Sequence, residues 1–92
     1  MKPLFELGQC VATPGALALL AEDGQEYTHL IYRHVRGDWG DLAYEDDKRA
    51  NAHAVATGVD RIMSVYKLTS GTVWAITEAD RSITTLLLPE EY

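Results

Sequence analysis

Ninety-two residues supply one hydrophobic core and too few side chains for two, and an apolar fraction of 47% with 24% charged residues points away from both disorder and a membrane span. Fourteen acidic side chains against eight Lys and Arg give a formal charge of −6, the wrong sign for a chain that would bind DNA or RNA by neutralising phosphates. No apolar run approaches the ~18 to 20 residues that cross a bilayer, the first six residues hold no signal-peptide core, and the lone Cys10 cannot close an internal disulfide, so a cytoplasmic protein is expected.

Leu7 to Ala12 reads as a first short strand ending at Thr13-Pro14-Gly15. Cys10 within it is expected as a small hydrophobe rather than a reactive thiol. Thr13 is placed to cap a helix over about Pro14 to Glu22, with proline at the first helical position and Gly24 beyond its end. A second helix, about Glu26 to Val35, sets Tyr27, Leu30, Ile31, His34 and Val35 on one side. Arg33, His34 and Arg36 at its C-terminal end complement the helix dipole.

Gly37-Asp38-Trp39-Gly40-Asp41-Leu42 then predicts a tight loop, with Trp39 either plugging it or standing out as an aromatic anchor for a partner. The third helix, about Tyr44 to Thr57, has Glu45, Asp46 and Asp47 in its first turn and Gly58 after its end. Glu45 and Arg49 are spaced for an i,i+4 ion pair. Asp38, Trp39, Asp41, Glu45, Asp46 and Asp47 together form the candidate interaction surface.

The last third is the strand-forming part. Arg61 to Leu68 alternates Ile62, Ser64, Tyr66 and Leu68 against Arg61, Met63, Val65 and Lys67. Thr69-Ser70-Gly71 turns the chain into two further apolar runs, Val73 to Thr77 and Ile83 to Leu88, separated by Glu78-Ala79-Asp80-Arg81. Three strands joined by short turns form an antiparallel meander. The expected fold is a single α+β domain over residues 1–92, three short helices packed on a small antiparallel sheet in the order β-α-α-α-β-β-β. The sequence leaves open where the N-terminal strand joins.

Catalytic and metal-binding patterns are not apparent. His29 and His34 project in different directions from one helix, His53 lies on another, and no HExxH, paired-Cys, calcium-loop or phosphate-loop spacing occurs. No cofactor is therefore expected. Asp80 and Arg81, with Ser82, Thr84 and Thr85 beyond, form the best polar constellation; they serve either the turn itself or a ligand site at the strand ends.

The segments TPGAL, GDWGDL and WAITEADRSITTLLLPEEY carry a resemblance. The chain resembles a family of small bacterial proteins borne on plasmids, phages and integrated elements, some labelled plasmid-related and some labelled subunit M of a type I restriction-modification system. The resemblance spans nearly the whole chain and implies a mobile-element setting. It brings no activity residue by residue, and the methyltransferase label finds neither an Asn-Pro-Pro-Tyr-type motif nor a glycine-rich cofactor loop here. The expected function is that of a non-catalytic accessory or protein-interaction module, binding a protein partner or itself. Two alternatives stand beside it. One is an acidic inhibitor of restriction or CRISPR-type defence that mimics nucleic acid through Asp38, Asp41, Glu45, Asp46 and Asp47. The other is a small enzyme or nucleic-acid processing factor using Asp80, Arg81 and His34 or His53.

Overall fold

In a computed structural model, which describes residues 3–92, the elements run β1 (Gln9–Ala12), α1 (Pro14–Asp23), α2 (Tyr27–Val35), α3 (Glu45–Thr57), β2 (Ile62–Leu68), β3 (Gly71–Thr77) and β4 (Ile83–Leu87), followed by a 3-10 turn over Pro89–Glu91. This is the expected α+β order. The meander β2-β3-β4 is antiparallel, and β1 adds to β4 in parallel, giving a mixed sheet in the order β1-β4-β3-β2. A strand followed by three helices has no hairpin to fix its direction, so the long crossover is what permits the parallel pairing. Among the described residues no helix is long and apolar enough to cross a membrane.

The register assigns each strand residue to a face. Cys10, Ala12, Ile62, Ser64, Tyr66, Val73, Ala75, Thr77, Thr84 and Leu86 share one; Val11, Met63, Val65, Trp74, Ile76, Ile83, Thr85 and Leu87 share the other. The helices cover the first. Ala16 and Leu20 of α1 and Leu30 and Ile31 of α2 pack there against Tyr66, Val73, Ala75 and Leu86, each large aliphatic side chain contributing about 2 kcal/mol by leaving water.

Local signals set the helix ends. Thr13 Oγ1 accepts the Ala16 N–H at 3.0 Å, Pro14 opens α1, and Gly24 closes it in the left-handed region at φ 74°. Asp23 then accepts the Ser70 N–H at 2.7 Å, tying the end of α1 to the β2–β3 turn. On α3 the ion pairs are Glu45 with Lys48 and Asp46 with Arg49. The expected Glu45–Arg49 pair is replaced by these i,i+3 pairs, because three consecutive carboxylates offer Arg49 a nearer partner in Asp46.

The outer edge of β2 is closed by three different groups. The Asn51 side-chain amide accepts the Met63 N–H at 3.1 Å and donates to the Met63 carbonyl at 2.7 Å. Trp39 C=O and Asp41 N–H do the same for Val65, at 3.1 and 2.6 Å. The Asp41 carboxylate accepts the Lys67 N–H at 2.9 Å. An edge that would otherwise template pairing with another chain is thereby satisfied from within. Gly40 makes the approach possible: at φ 70°, a Cβ there would collide with the Val65 carbonyl and the Tyr66 ring.

Candidate functional site

The longest polar constellation is internal. His34 Nδ1 lies 2.6 Å from Ser64 Oγ and Nε2 lies 3.0 Å from Thr77 Oγ1; Thr77 Oγ1 lies 2.7 Å from Thr84 Oγ1, which donates to the Leu7 carbonyl at 2.7 Å. The last bond fixes the direction of all the others. Because Thr84 spends its proton on Leu7, Thr77 must donate to Thr84, His34 Nε2–H to Thr77, and Ser64 O–H to His34 Nδ1. His34 is thus the neutral Nε2–H tautomer, and burial pushes its pKa down to about 4.

A serine hydrogen-bonded to a histidine that is itself oriented by a third group has the connectivity of a nucleophile and its base. Here Ser64, His34, Thr77 and Thr84 are each 0% exposed, so the chain pins α2 to the centre of the sheet, where no substrate reaches it. Phe5 and Trp39 wall it in, with ring centroids 5.2 and 6.0 Å from the imidazole. The inward polar positions Ser64, Thr77 and Thr84 follow from strand alternation, and His34 from helix periodicity. What the sequence does not carry is that the four meet.

The candidate interaction residues serve several distinct tasks. Trp39 is half-buried and stacks on Phe5 at 6.3 Å. Asp38 accepts two bonds from Arg33, at 2.7 and 3.2 Å, and one from the Gly40 N–H, and the Arg33 bond holds its carboxyl below the usual range. Arg33 also lies over the Tyr66 ring, 4.5 Å from its centroid. Tyr66, whose pKa burial pushes up to about 12, donates to the Asp38 carbonyl at 2.7 Å. Asp41 seals the β2 edge, Glu45 and Asp46 pair along α3, and Asp47 is in no ion pair among the described residues.

Asp80 and Arg81 shape the β3–β4 connection. Asp80 Oδ1 accepts both the N–H and the hydroxyl of Ser82, at 3.0 and 2.6 Å, which lowers its pKa. Arg81, at φ 61°, reaches across with its guanidinium to the carbonyls of Ala54, Asp60, Glu78 and Ala79, at 2.7 to 3.2 Å. Asp60, at φ 68°, is the only other non-glycine residue of positive φ among those described, and Arg81 clamps it directly. Neither Asp80 nor Arg81 is among the residues that line the cleft beside His53.

Beside this clamp lies an open cleft of about 740 Å³ between α3 and the sheet, lined by Leu42, Asp47, Ala50, Asn51, His53, Asp60, Arg61, Met63, Glu78 and Ala79. Its size falls within the range of small-ligand and side-chain pockets. Of the residues singled out from the sequence, Asp47 and His53 line it; Asp60 reaches it from the turn before β2 and Glu78 from the β3–β4 connection. Among the described residues, no three His, Cys, Asp or Glu side chains gather as metal ligands would.

The cleft opens beside the sheet face that the helices leave bare. There Met63, Val65, Trp74, Ile83 and Thr85 remain partly exposed, whereas Ile76 and Leu87 at the centre are 3% and 8% exposed. The C-terminal turn packs on this face. Tyr92 sets its ring edge-on to Trp74 at 5.5 Å with Arg61 over its other side at 5.3 Å, and Glu91 anchors the turn by accepting from the Thr13 hydroxyl at 2.6 Å and the Leu88 N–H at 2.7 Å.

Fold and surface together define a small α+β protein with a mixed four-stranded sheet, one face under α1 and α2 and the other buried at its centre and partly exposed around it. No family model, curated protein or solved structure matches the chain significantly.

Proposed function

We propose that the protein is a non-catalytic interaction module of a bacterial mobile genetic element, and that it binds a protein partner through the sheet face left bare by its helices. The observation that supports this reading is the partly exposed apolar pair Val65 and Trp74, set opposite each other on β2 and β3 with Met63 beside them, on the sheet face away from α1 and α2. The mobile-element setting rests on the resemblance of TPGAL, GDWGDL and the C-terminal run to plasmid- and phage-borne proteins. The polar groups most like catalytic machinery are spent on holding α2, which leaves recognition as the work of the surface.

The test is capture of tagged protein from bacteria carrying such an element, with cross-linking to locate the contact. Binding that is lost in Val65→Lys and Thr85→Lys variants supports the reading. A protein that is monomeric by light scattering and captures nothing in its natural host counts against it, as does a contact confined to the outer faces of the helices.

A further inference from the structure

We propose that the free edge of β1 pairs with itself: two copies of the chain join β1 to β1 antiparallel about a two-fold axis at Val11, making their two sheets one. The inference concerns an edge of the sheet rather than its bare face, so it stands or falls apart from the partner reading above.

Backbone direction carries it. The Gln9 N–H donates to the Ser82 carbonyl and the Thr13 N–H to the Leu86 carbonyl, each at 3.0 Å, and along one edge of a strand the bonded residues alternate with residues that point away. Gln9, Val11 and Thr13 therefore turn their peptide groups to β4, while Cys10 and Ala12 turn theirs to the open side. Among the described residues, no loop or side chain hydrogen-bonds to the backbone of Cys10 or Ala12. The opposite edge differs: there Asn51, Trp39 and Asp41 satisfy Met63, Val65 and Lys67. The chain closes one edge from within and leaves the other unfilled.

β1 also lacks what keeps edges apart. Gln9 to Thr13 includes no charge and no proline, its pairing with β4 runs without a bulge, and of the features that protect edge strands only shortness applies. Cys10, Val11 and Ala12 all remain partly exposed.

Shortness decides the occupant. Two outward residues offer a foreign peptide too few bonds to offset the ordering of a free chain, whereas a second copy brings a strand already held straight by its own β4. The edge also fits itself. With Cys10 opposite Ala12 of the second copy, each donates to and accepts from the other, and the same pair recurs across the axis. Val11, on the bare face beside Thr85, then meets its own counterpart, apolar against apolar. A contact this small makes a weak dimer that forms with rising concentration.

Sedimentation velocity on the full chain across a concentration series, read with amide hydrogen exchange, tests the pairing. The expected result is a monomer–dimer equilibrium in which exchange at Cys10 and Ala12 slows as concentration rises. Ala12→Pro removes an outward N–H and no bond to β4. It should weaken dimerisation at least about tenfold, since half of the bonds between the copies go, while exchange along β3 stays as it was. The register has its own check, which decides the matter if Ala12→Pro does not fold. In a Cys10→Ala background with oxidised glutathione, Val11→Cys should give a disulfide-linked dimer, because facing residues between two hydrogen-bonded pairs lie about 4.5 Å apart at Cα, within disulfide reach. Gln9→Cys, whose counterpart across the axis is Thr13, should not. A chain that stays monomeric at high concentration, a dimer that Ala12→Pro leaves as tight, or equal cross-linking at positions 9 and 11 would overturn the proposal. Protection of Cys10 and Ala12 that arises only when another protein is added would give the edge to that protein and end the second-copy assignment, with the reading of the bare face untouched.

Discussion

Asn51 holds both backbone groups of Met63, standing in for the neighbouring strand that β2 lacks. A primary amide can do this because it carries a donor and an acceptor side by side, as a peptide group does. Replacing it with alanine leaves a strand N–H and C=O without partners at a half-buried position. The loss should be about 2 kcal/mol by urea denaturation. Asn51→Asp should cost at least as much near neutral pH, since a carboxylate accepts the N–H but repels the carbonyl. Both variants should also self-associate more readily in light scattering, because the reopened edge can pair with another chain. Unchanged stability in both would mean that the amide is not what closes this edge.

The buried imidazole makes stability depend on pH. His34 titrates near its ordinary 6.5 in the unfolded chain and at about 4 in the folded one, so between those values the unfolded state binds the extra proton. The stabilisation from keeping His34 neutral is complete above pH 6.5 and is lost progressively as pH falls to about 4; it amounts to the order of 3 kcal/mol. Urea midpoints measured across this interval should fall with acidification. In a His34→Phe/Ser64→Ala double variant that slope should flatten, whatever the change in absolute stability. A slope that survives the substitution between pH 6.5 and 4 would mean that His34 is not its source; Asp38, whose carboxyl is held below the usual range, loses its own contribution only at lower pH.

The helix ends and strand faces were legible in the sequence because they depend on near neighbours. Thr13-Pro14 and Gly24 bound α1, and alternation alone puts Ser64 with Ile62 and Tyr66 on the covered side. The direction of β1 was not legible, since nothing local distinguishes a parallel from an antiparallel partner for Gln9–Ala12. The cleft was also hidden. Asp60 and Glu78 are distant in sequence and reach one place only because β2 and β3 are antiparallel and Arg81 draws their turns together. The loop sequence alone allows Trp39 to be plug or anchor; that its half-buried ring stacks on Phe5 depends on the path of the N-terminal segment, which no local pattern sets.

Gly40 is the position where the loop touches the sheet. Alanine there meets two obstacles, a positive φ and a Cβ driven into the Val65 carbonyl. Gly40→Ala should therefore displace the loop and break the bonds of Trp39 and Asp41 to Val65, at a cost above about 2 kcal/mol. Hydrogen exchange should quicken at Val65 and Lys67 before it quickens at Trp74 or Ile76, which are paired on β3. Gly58→Ala, where φ is also positive but a Cβ would meet open space, should cost only the conformational part, about 1 kcal/mol. Equal effects at the two glycines would contradict the close approach of the loop.

Arg81 binds four carbonyls with one guanidinium, and they belong to three separate pieces of backbone: the end of α3, the turn before β2 and the β3–β4 connection. A charged donor to neutral acceptors makes the stronger kind of hydrogen bond, though partial exposure lowers the return. Lysine can reach one or two of these carbonyls at a time, and methionine none. Arg81→Met should cost about 2 kcal/mol, and Arg81→Lys somewhat less. The distinguishing sign is local: Ala54 C=O also accepts the Gly58 N–H at 2.9 Å, so exchange at Gly58 should accelerate in both variants as the end of α3 loosens. An Arg81→Met protein of unchanged stability and unchanged exchange at Gly58 would show that the turns hold their places without the clamp.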